Sequence, residues 1–545
     1  MTDRSADEGV PPKSLSRGAL SITALTAVSR LTGFLRVVAV AAAMGTTFFA
    51  NTYQSANAAP NLIFELIAAG VLTSIFVPTF VSYIARGDDE GGWRAADALA
   101  SVALVALVAL AGVLFLLAPL IIRLLLVGIE DPQVRGDSIR LGTDLLRLFA
   151  PQVIFYGLGM IMTGALHAHR RFVLPAMAPI FNNIIVIGVY LVYAAVRSAC
   201  APDIAEVPAS HVWLLGAGTT LGVVAMTVVL LPGLKTLGWR FRWNFDLTHP
   251  AVRKGARLGI WALGYAGGYQ AGLIVALVLA NRIEGGAAAY QWAFTFFYLP
   301  HALVGVPLFN VLFTVMSEHA ARREISEVAL RMTQGLRMLF FILLPLSAAC
   351  IVLGPGAARV ALQHGAMSEE GSLLVGRTLA MFGLGLPAYS AFLVMTRAFY
   401  ALGDAKTPAL LNAVTIIVTV GFGAAGFFLA SGGWEIGGIA AGHSIGFCLG
   451  AAMLARMLAR KVGPLFDSGA LRAAGLSVVG ASVAGLLMWG TIKVLPEGSI
   501  TLELIRITAG GAIGLGLYFI GMRKAGSIEA ERLSALLKSV RVRPA

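Results

Sequence analysis

Charge is what this chain of 545 residues has least of. Asp, Glu, Lys and Arg together make up 13%, about half the roughly 25% of an average soluble domain, while 58% of the residues are hydrophobic. So few charges cannot cover the surfaces of a soluble enzyme of this length, which excludes that class. Cysteine is also nearly missing. Cys200, Cys350 and Cys448 are scattered and unpaired by spacing, so neither a disulfide framework nor a cysteine metal cluster is expected. A phosphate-cradling GxxxxGK(S/T) loop and an HExxH helix are both lacking, which argues against an ATP-driven pump or a hydrolytic membrane enzyme. No enzyme activity, cofactor or metal is expected.

Apolar runs long enough to cross a bilayer fill the rest. A spanning helix needs about 20 mostly apolar residues. That ruler marks segments near 19–44, 61–85, 98–127, 145–167, 174–197, 213–237, 256–281, 288–316, 336–361, 373–402, 408–430, 436–459, 471–494 and 502–522. The fold class is therefore an all-α polytopic membrane protein of about fourteen transmembrane helices. Pro119, Pro151, Pro345 and Pro387 fall inside these runs, where proline is tolerated if a neighbour satisfies the freed carbonyl.

The formal net charge of +13 raises the question of a nucleic-acid partner, and topology answers it. With the N-terminus inside, 28 of the 41 Lys and Arg fall on the inner side, nine on the outer side and four within spans. The bias is the one expected of cytoplasmic loops, so both termini are read as cytoplasmic and no nucleic acid is needed. The polar residues 1–18 read as a cytoplasmic tail, because Arg30 and Arg36 interrupt the apolar stretch that a cleaved signal would keep unbroken.

Internal similarity divides the chain. APNLIFELIAAGVLTSIFVPTF around Pro60 resembles LPHALVGVPLFNVLFTVMSE around Pro300, at an offset of 240 residues. LHAHRRFVLPAMAP at 166–179 resembles FYALGDAKTPALLN at 399–412, at an offset of 233. Two such offsets point to two six-helix lobes in the same orientation. The expected organisation is a tail (1–18), a first lobe (19–237), an amphipathic linker (238–255), a second lobe (256–460), two further helices (461–523) and an amphipathic tail (524–545). In that tail Ile528, Leu533, Leu536 and Leu537 recur at helical spacing among basic residues, a pattern suited to the inner leaflet.

Polar groups inside the spans carry the functional reading. A charge at the bilayer centre costs at least about 2.5 kcal/mol, so it faces a partner or a wet cavity. Arg30 lies about 16 Å along the helix from Ala19, near mid-membrane, and Arg36 lies beyond it about 120° around the axis. Two guanidinium forks flanking one cavity suit phosphate oxygens; the structural alternative is that Arg30 pairs with Glu65 and Arg36 snorkels outward. Glu65, a carboxylate within the second span, is either a proton-linked group or half of that salt bridge. Asn51, Gln54 and Asn57 lie at the junction of the first two spans, as satisfied loop polars or as ligand contacts, and Asn51 and Asn57 are kept among the candidate binding residues. Gln270, Gln291 and Thr295 stand on the seventh and eighth spans, as lining of an opposite wall or as helix-helix hydrogen bonds. His167, His169, Arg170 and Arg171 make a basic inner loop, open to lipid headgroups or simply a topology signal.

Four stretches together resemble one family: SRLTGFLR at 29–36, the run from Pro60 to Pro78, RFVLPAMAPIFNN at 171–183 and FYALGDAKTP at 399–408. They are similar to the MurJ (MviN) family of lipid II flippases, in the multidrug/oligosaccharidyl-lipid/polysaccharide exporter superfamily, over about residues 18–520. The resemblance implies alternating access through a central cationic cavity in a bacterial plasma membrane. The implied substrate is undecaprenyl-diphosphate disaccharide-pentapeptide (lipid II), moved to the outer leaflet for peptidoglycan synthesis, with membrane lipids and cell-wall synthesis proteins as further partners. It carries a binding role onto Ser29, Arg30 and Arg36. Where the family commonly has charged cavity residues, this chain has Val37, Asn51, Glu65, Thr295 and Tyr298. The rival readings are an exporter of another polyprenyl-linked glycan or of drugs, and a non-transporting scaffold for wall synthesis.

Overall fold

The computed structural model describes residues 12–67, 89–197, 203–239, 241–249, 252, 267–465 and 468–541. Among them the chain is helical with no strand. Eleven helices are long and apolar enough to cross a membrane, and one bent pair adds a twelfth. The expected spans at 61–85 and 256–281 run partly outside the described residues. What is seen of them is α2 (Phe48–Ile67) and α9 (Gly267–Ala280).

The first lobe comprises α1 (Pro12–Met44), α2, α3 (Asp89–Leu125), α4 (Pro132–Phe149), α5 (Gln152–Ala168), α6 (Val173–Val196) and α7 (Ala209–Val228), closed by the short α8 (Leu231–Thr236). The second follows α9 with α10 (Gly286–Pro300), α11 (Val306–Ala321), α12 (Ile325–Leu362), α13 (Glu369–Gly383), α14 (Leu386–Ala401), α15 (Lys406–Leu429) and α16 (Glu435–Val462). Helices α17 (Ser468–Val494) and α18 (Ile500–Lys524) pack on each other and on α12. The last helix, α19 (Ile528–Arg541), is pinned to α12 by the Arg337–Glu529 ion pair at 2.7 Å.

The bend between α13 and α14, 51°, follows from Pro387. Proline has no N–H to give the carbonyl four residues back, which is that of Gly383. The Ser347 hydroxyl of α12 donates to it instead, at 2.6 Å. Ser444 of α16 donates to the neighbouring carbonyl of Met381, also at 2.6 Å. Two serines from two other helices thus make a broken span tolerable in lipid. Glycine allows one more close contact. A Cβ on Gly426 of α15 would stand 2.6 Å from the carbonyl oxygen of Gly438, so these helices cross nearly backbone to backbone.

The repeat is visible in hydrogen bonds. At the end of α5, Arg171 N–H reaches Leu166 O and Arg170 N–H reaches His167 O; at the end of α14, Asp404 reaches Phe399 and Gly403 reaches Tyr400. All four pairs differ by 233 residues. Both are Schellman caps, which place the residue after the cap in the left-handed region. Gly403 adopts φ 75° there, and Arg170 adopts φ 57°.

Candidate functional site

Between the lobes lies a cavity of about 710 Å³. Seven of the nine expected binding residues line it: Arg30 and Arg36 from α1, Asn57 and Glu65 from α2, and Gln270, Gln291 and Thr295 from α9 and α10. The other two do not. Asn51 is fully buried and its amide is taken up by the opposite lobe, donating to Ile283 O at 2.8 Å and accepting from Ala288 N–H at 3.2 Å. Ser29 contributes its carbonyl to the Thr32 hydroxyl, at 3.0 Å.

Local sequence explains how the arginines are presented. Thr32 and Gly33 turn toward α6, where Asn183 Nδ2 donates to Thr32 Oγ1 at 3.1 Å. A Cβ on Gly33 would stand 3.6 Å from the same Asn183 nitrogen. That face fixes the rotation of α1 and leaves Arg30 and Arg36 for the cavity. Among the described residues neither forms an ion pair or hydrogen bond, nor does Glu65; the Arg30–Glu65 bridge is not made. Arg30 instead lies over the ring of Tyr298, with Cζ 5.4 Å from the centroid.

The other two arginines within spans are satisfied differently. Arg506 bonds Glu503 at 2.6 Å, Glu497 at 3.1 Å and the carbonyl of Ile492 at 2.7 Å. Arg397 sits over Phe309 and Tyr400, at 5.3 and 5.9 Å. A guanidinium that faces open volume with no carboxylate paired to it is prepared for an anion from outside the protein.

Beside Arg36 the first-lobe wall is a closed network. Tyr53 OH meets Tyr190 OH at 3.0 Å and Thr219 Oγ1 at 2.6 Å, and Tyr156 OH donates to Asn61 Oδ1 at 3.0 Å. The facing wall includes Thr419 and His443, neither of which the sequence reading singled out. A lone histidine within the apolar run IAAGHSIGF of α16 was the available signal.

The hydrogen bonds between the lobes gather at one end. Every hydrogen bond between them among the described residues joins 42–55 or 125–130 to 281–288 or 366. Asn281 Nδ2 donates to Ser55 Oγ at 2.9 Å and to Leu125 O at 3.0 Å, Ala366 N–H reaches Ala42 O at 2.8 Å, and Arg282 pairs with Glu130 at 2.8 Å.

Two helical lobes around a polar cavity, tied together by hydrogen bonds at one end, have the architecture of a membrane transporter. The fold matches a solved structure described as lipid II flippase MurJ in an inward closed conformation, with TM-score 0.74 and 20% identity over 92% of this chain and 99% of that one. It also matches an inward-facing multidrug resistance MATE family transporter of the MOP superfamily, with TM-score 0.63 and 14% identity over 82% and 98%. In sequence the chain is 28% identical to the probable lipid II flippase MurJ of Rhizobium tropici over 98% of both proteins. It is 26% identical to the lipid II flippase MurJ of Burkholderia cenocepacia over 74% of this chain and 77% of that one. The family model for lipid II flippase MurJ matches residues 40–509, and the chain belongs to that family.

Proposed function

We propose that the protein is a lipid II flippase of a bacterial plasma membrane, with both termini cytoplasmic. It carries the diphosphate-linked disaccharide-pentapeptide headgroup from the inner to the outer leaflet while the polyprenyl tail stays in lipid. The observation that carries the reading is Arg30 and Arg36 without acidic partners, facing a cavity between two lobes in a member of this family. The lobes 19–237 and 256–460 rock as units about that cavity. Asn51, Ser55, Asn281 and the Arg282–Glu130 pair form the outer gate, closed in this state.

Arg30 and Arg36 hold the diphosphate; fixed cations replace the hydration that the headgroup sheds. Neutralising substrate charge at mid-membrane lowers the barrier, and an inside-negative potential drives an anionic headgroup outward, by about 2.3 kcal/mol per charge per 100 mV. Among the described residues that line the cavity Glu65 is the only carboxylate, and membrane potential is assigned as the driving force.

The test is replacement of the flippase in cells depleted of their own, reading lipid II on each leaflet. The parent chain is expected to restore outward movement, and Arg30→Ala/Arg36→Ala is expected to leave lipid II on the inner leaflet. Normal translocation by the double variant overturns the assignment.

A further inference from the structure

The second-lobe wall of the cavity holds a concentration of unsatisfied polar atoms. Among the described residues twelve buried side-chain nitrogens and oxygens have no partner, and six of them belong to residues on this one wall. They are Gln270 Oε1, Gln291 Nε2, Trp292 Nε1, Thr419 Oγ1 and both ring nitrogens of His443. Gln270, Trp292 and His443 are each more than nine-tenths buried. A buried donor or acceptor left unpaired is costly, at about 1–3 kcal/mol apiece, and such groups are rare away from functional sites. All five residues border one cavity, whose occupant is able to supply the missing partners.

The chemistry of the wall specifies the occupant. Among its described residues there is no Asp, Glu, Lys or Arg; it offers amides, a hydroxyl, an indole and an imidazole. His443 is fixed in a cage of aromatic rings, with centroids of Phe447 at 4.6 Å, Phe382 at 5.2 Å and Phe297 at 5.6 Å. Thr419 packs over Gly446, one turn further along α16. Mixed donors and acceptors beside the cavity-lining rings of Tyr269, Phe294 and Tyr298 suit a pyranose, whose hydroxyls and acetamido groups bond sideways while its C–H faces lie on the rings. The arginines face this wall from the first lobe.

Resting on the flippase reading above, the geometry points to a glycan subsite formed by Gln270, Gln291, Trp292, Thr419 and His443. The headgroup is thus oriented across the cavity, its diphosphate on the first lobe and its amino-sugar units on the second. Because the substrate then bridges both lobes, its sugars as well as its charge select for transport.

The experiment measures binding of two lipids to the full chain in nanodiscs: undecaprenyl diphosphate, and the same lipid carrying the disaccharide-pentapeptide. The parent is expected to prefer the glycosylated lipid. Thr419→Val, Gln291→Leu and His443→Phe are each expected to lower that preference by about three- to tenfold, the worth of one neutral hydrogen bond. Arg30→Ala/Arg36→Ala is expected to weaken both lipids alike. Thr419→Val is nearly isosteric, so it reports even if His443→Phe folds poorly. A third lipid, with disaccharide and no peptide, is expected to show the same loss. An unchanged preference in all three wall variants, as when water alone occupies the wall, overturns the subsite while leaving the arginine result intact. A loss seen only when the peptide is present overturns the glycan assignment. Failure of the parent to bind either lipid overturns the flippase reading itself.

Discussion

The guanidinium of Arg30 on α1 rests 5.4 Å from the ring centroid of Tyr298 on α10, so a cation of the first lobe is held by an aromatic face of the second. Phe34 and Phe296 meet edge to face at 5.0 Å one turn away. A contact of this kind contributes about 0.5–2 kcal/mol, depending on how far it is desolvated. It keeps Arg30 extended into the cavity without neutralising it as a carboxylate would.

Tyr298→Leu removes that platform and is expected to weaken lipid II binding about two- to tenfold, as Arg30 loses its fixed position. Tyr298→Phe keeps the ring and is expected to stay within about twofold of the parent. Titration of lipid II into both purified variants measures it. Equal losses in the two assign the effect to the hydroxyl and remove the cation–π explanation.

Asn51 decides how firmly the closed end is held. Asn51→Leu leaves Ala288 N–H buried without a partner and takes one of two donors from Ile283 O, which keeps the Gly286 N–H, a penalty of about 1–3 kcal/mol on the closed arrangement alone. At 1.4 kcal/mol per tenfold, the open population rises about five- to a hundredfold. The readout is the modification rate of a cysteine placed at the cavity residue Leu62, in a background lacking Cys200, Cys350 and Cys448, by an impermeant reagent added from the outer face. An unchanged rate refutes the gate.

Helices and their lipid-spanning character were legible because composition forces them, and the cavity arginines because a charge within an apolar run needs a reason. The repeat was legible at 166–179 and 399–412 because a Schellman cap makes local demands on a few consecutive residues. Asn51 and His443 show the limit. Both are polar residues on spans or at their mouths, and sequence alone does not say which way they turn. The position of Asn51 between two cavity-lining spans suggests the cavity, yet its amide is taken up by Ile283 and Ala288, more than 230 residues away. His443 drew no attention, yet it sits at the centre of the facing wall. The separating information is long-range packing, which local periodicity does not carry.

The broken span offers a test by coupling. Ser347→Ala leaves the Gly383 carbonyl without a donor, because Pro387 cannot supply one, and is expected to destabilise the protein by about 1–3 kcal/mol. In a Pro387→Ala background the restored N–H is able to bond Gly383 itself, so the same serine change is expected to cost markedly less. Thermal unfolding of the four proteins in detergent gives the cycle. Strict additivity refutes the link between the proline and the serine.

The loop of the second repeat gives a pH dependence with a definite sign. Burial pushes the carboxyl of Asp404 up, but bonds from Lys461 and from the backbone and hydroxyl of Thr407 outweigh it, and the group is held down at about 2 against an ordinary 3.8. Thr407 N–H reaches Oδ1 at 3.0 Å and its hydroxyl reaches Oδ2 at 2.7 Å, so the carboxylate both caps α15 and ties it through Lys461 to α16. A depressed carboxyl stabilises the fold above its unfolded value and loses that contribution as pH falls toward its folded value. Asp404→Asn is therefore expected to lower the melting temperature by a constant amount from about pH 8 down to about pH 5. The gap to the parent is expected to close progressively below about pH 4, as protonation removes the same charge from the parent. Melting curves of both proteins across this range check it. A gap that closes near neutral pH instead traces the effect to another titrating group and removes the Asp404 bridge as its cause.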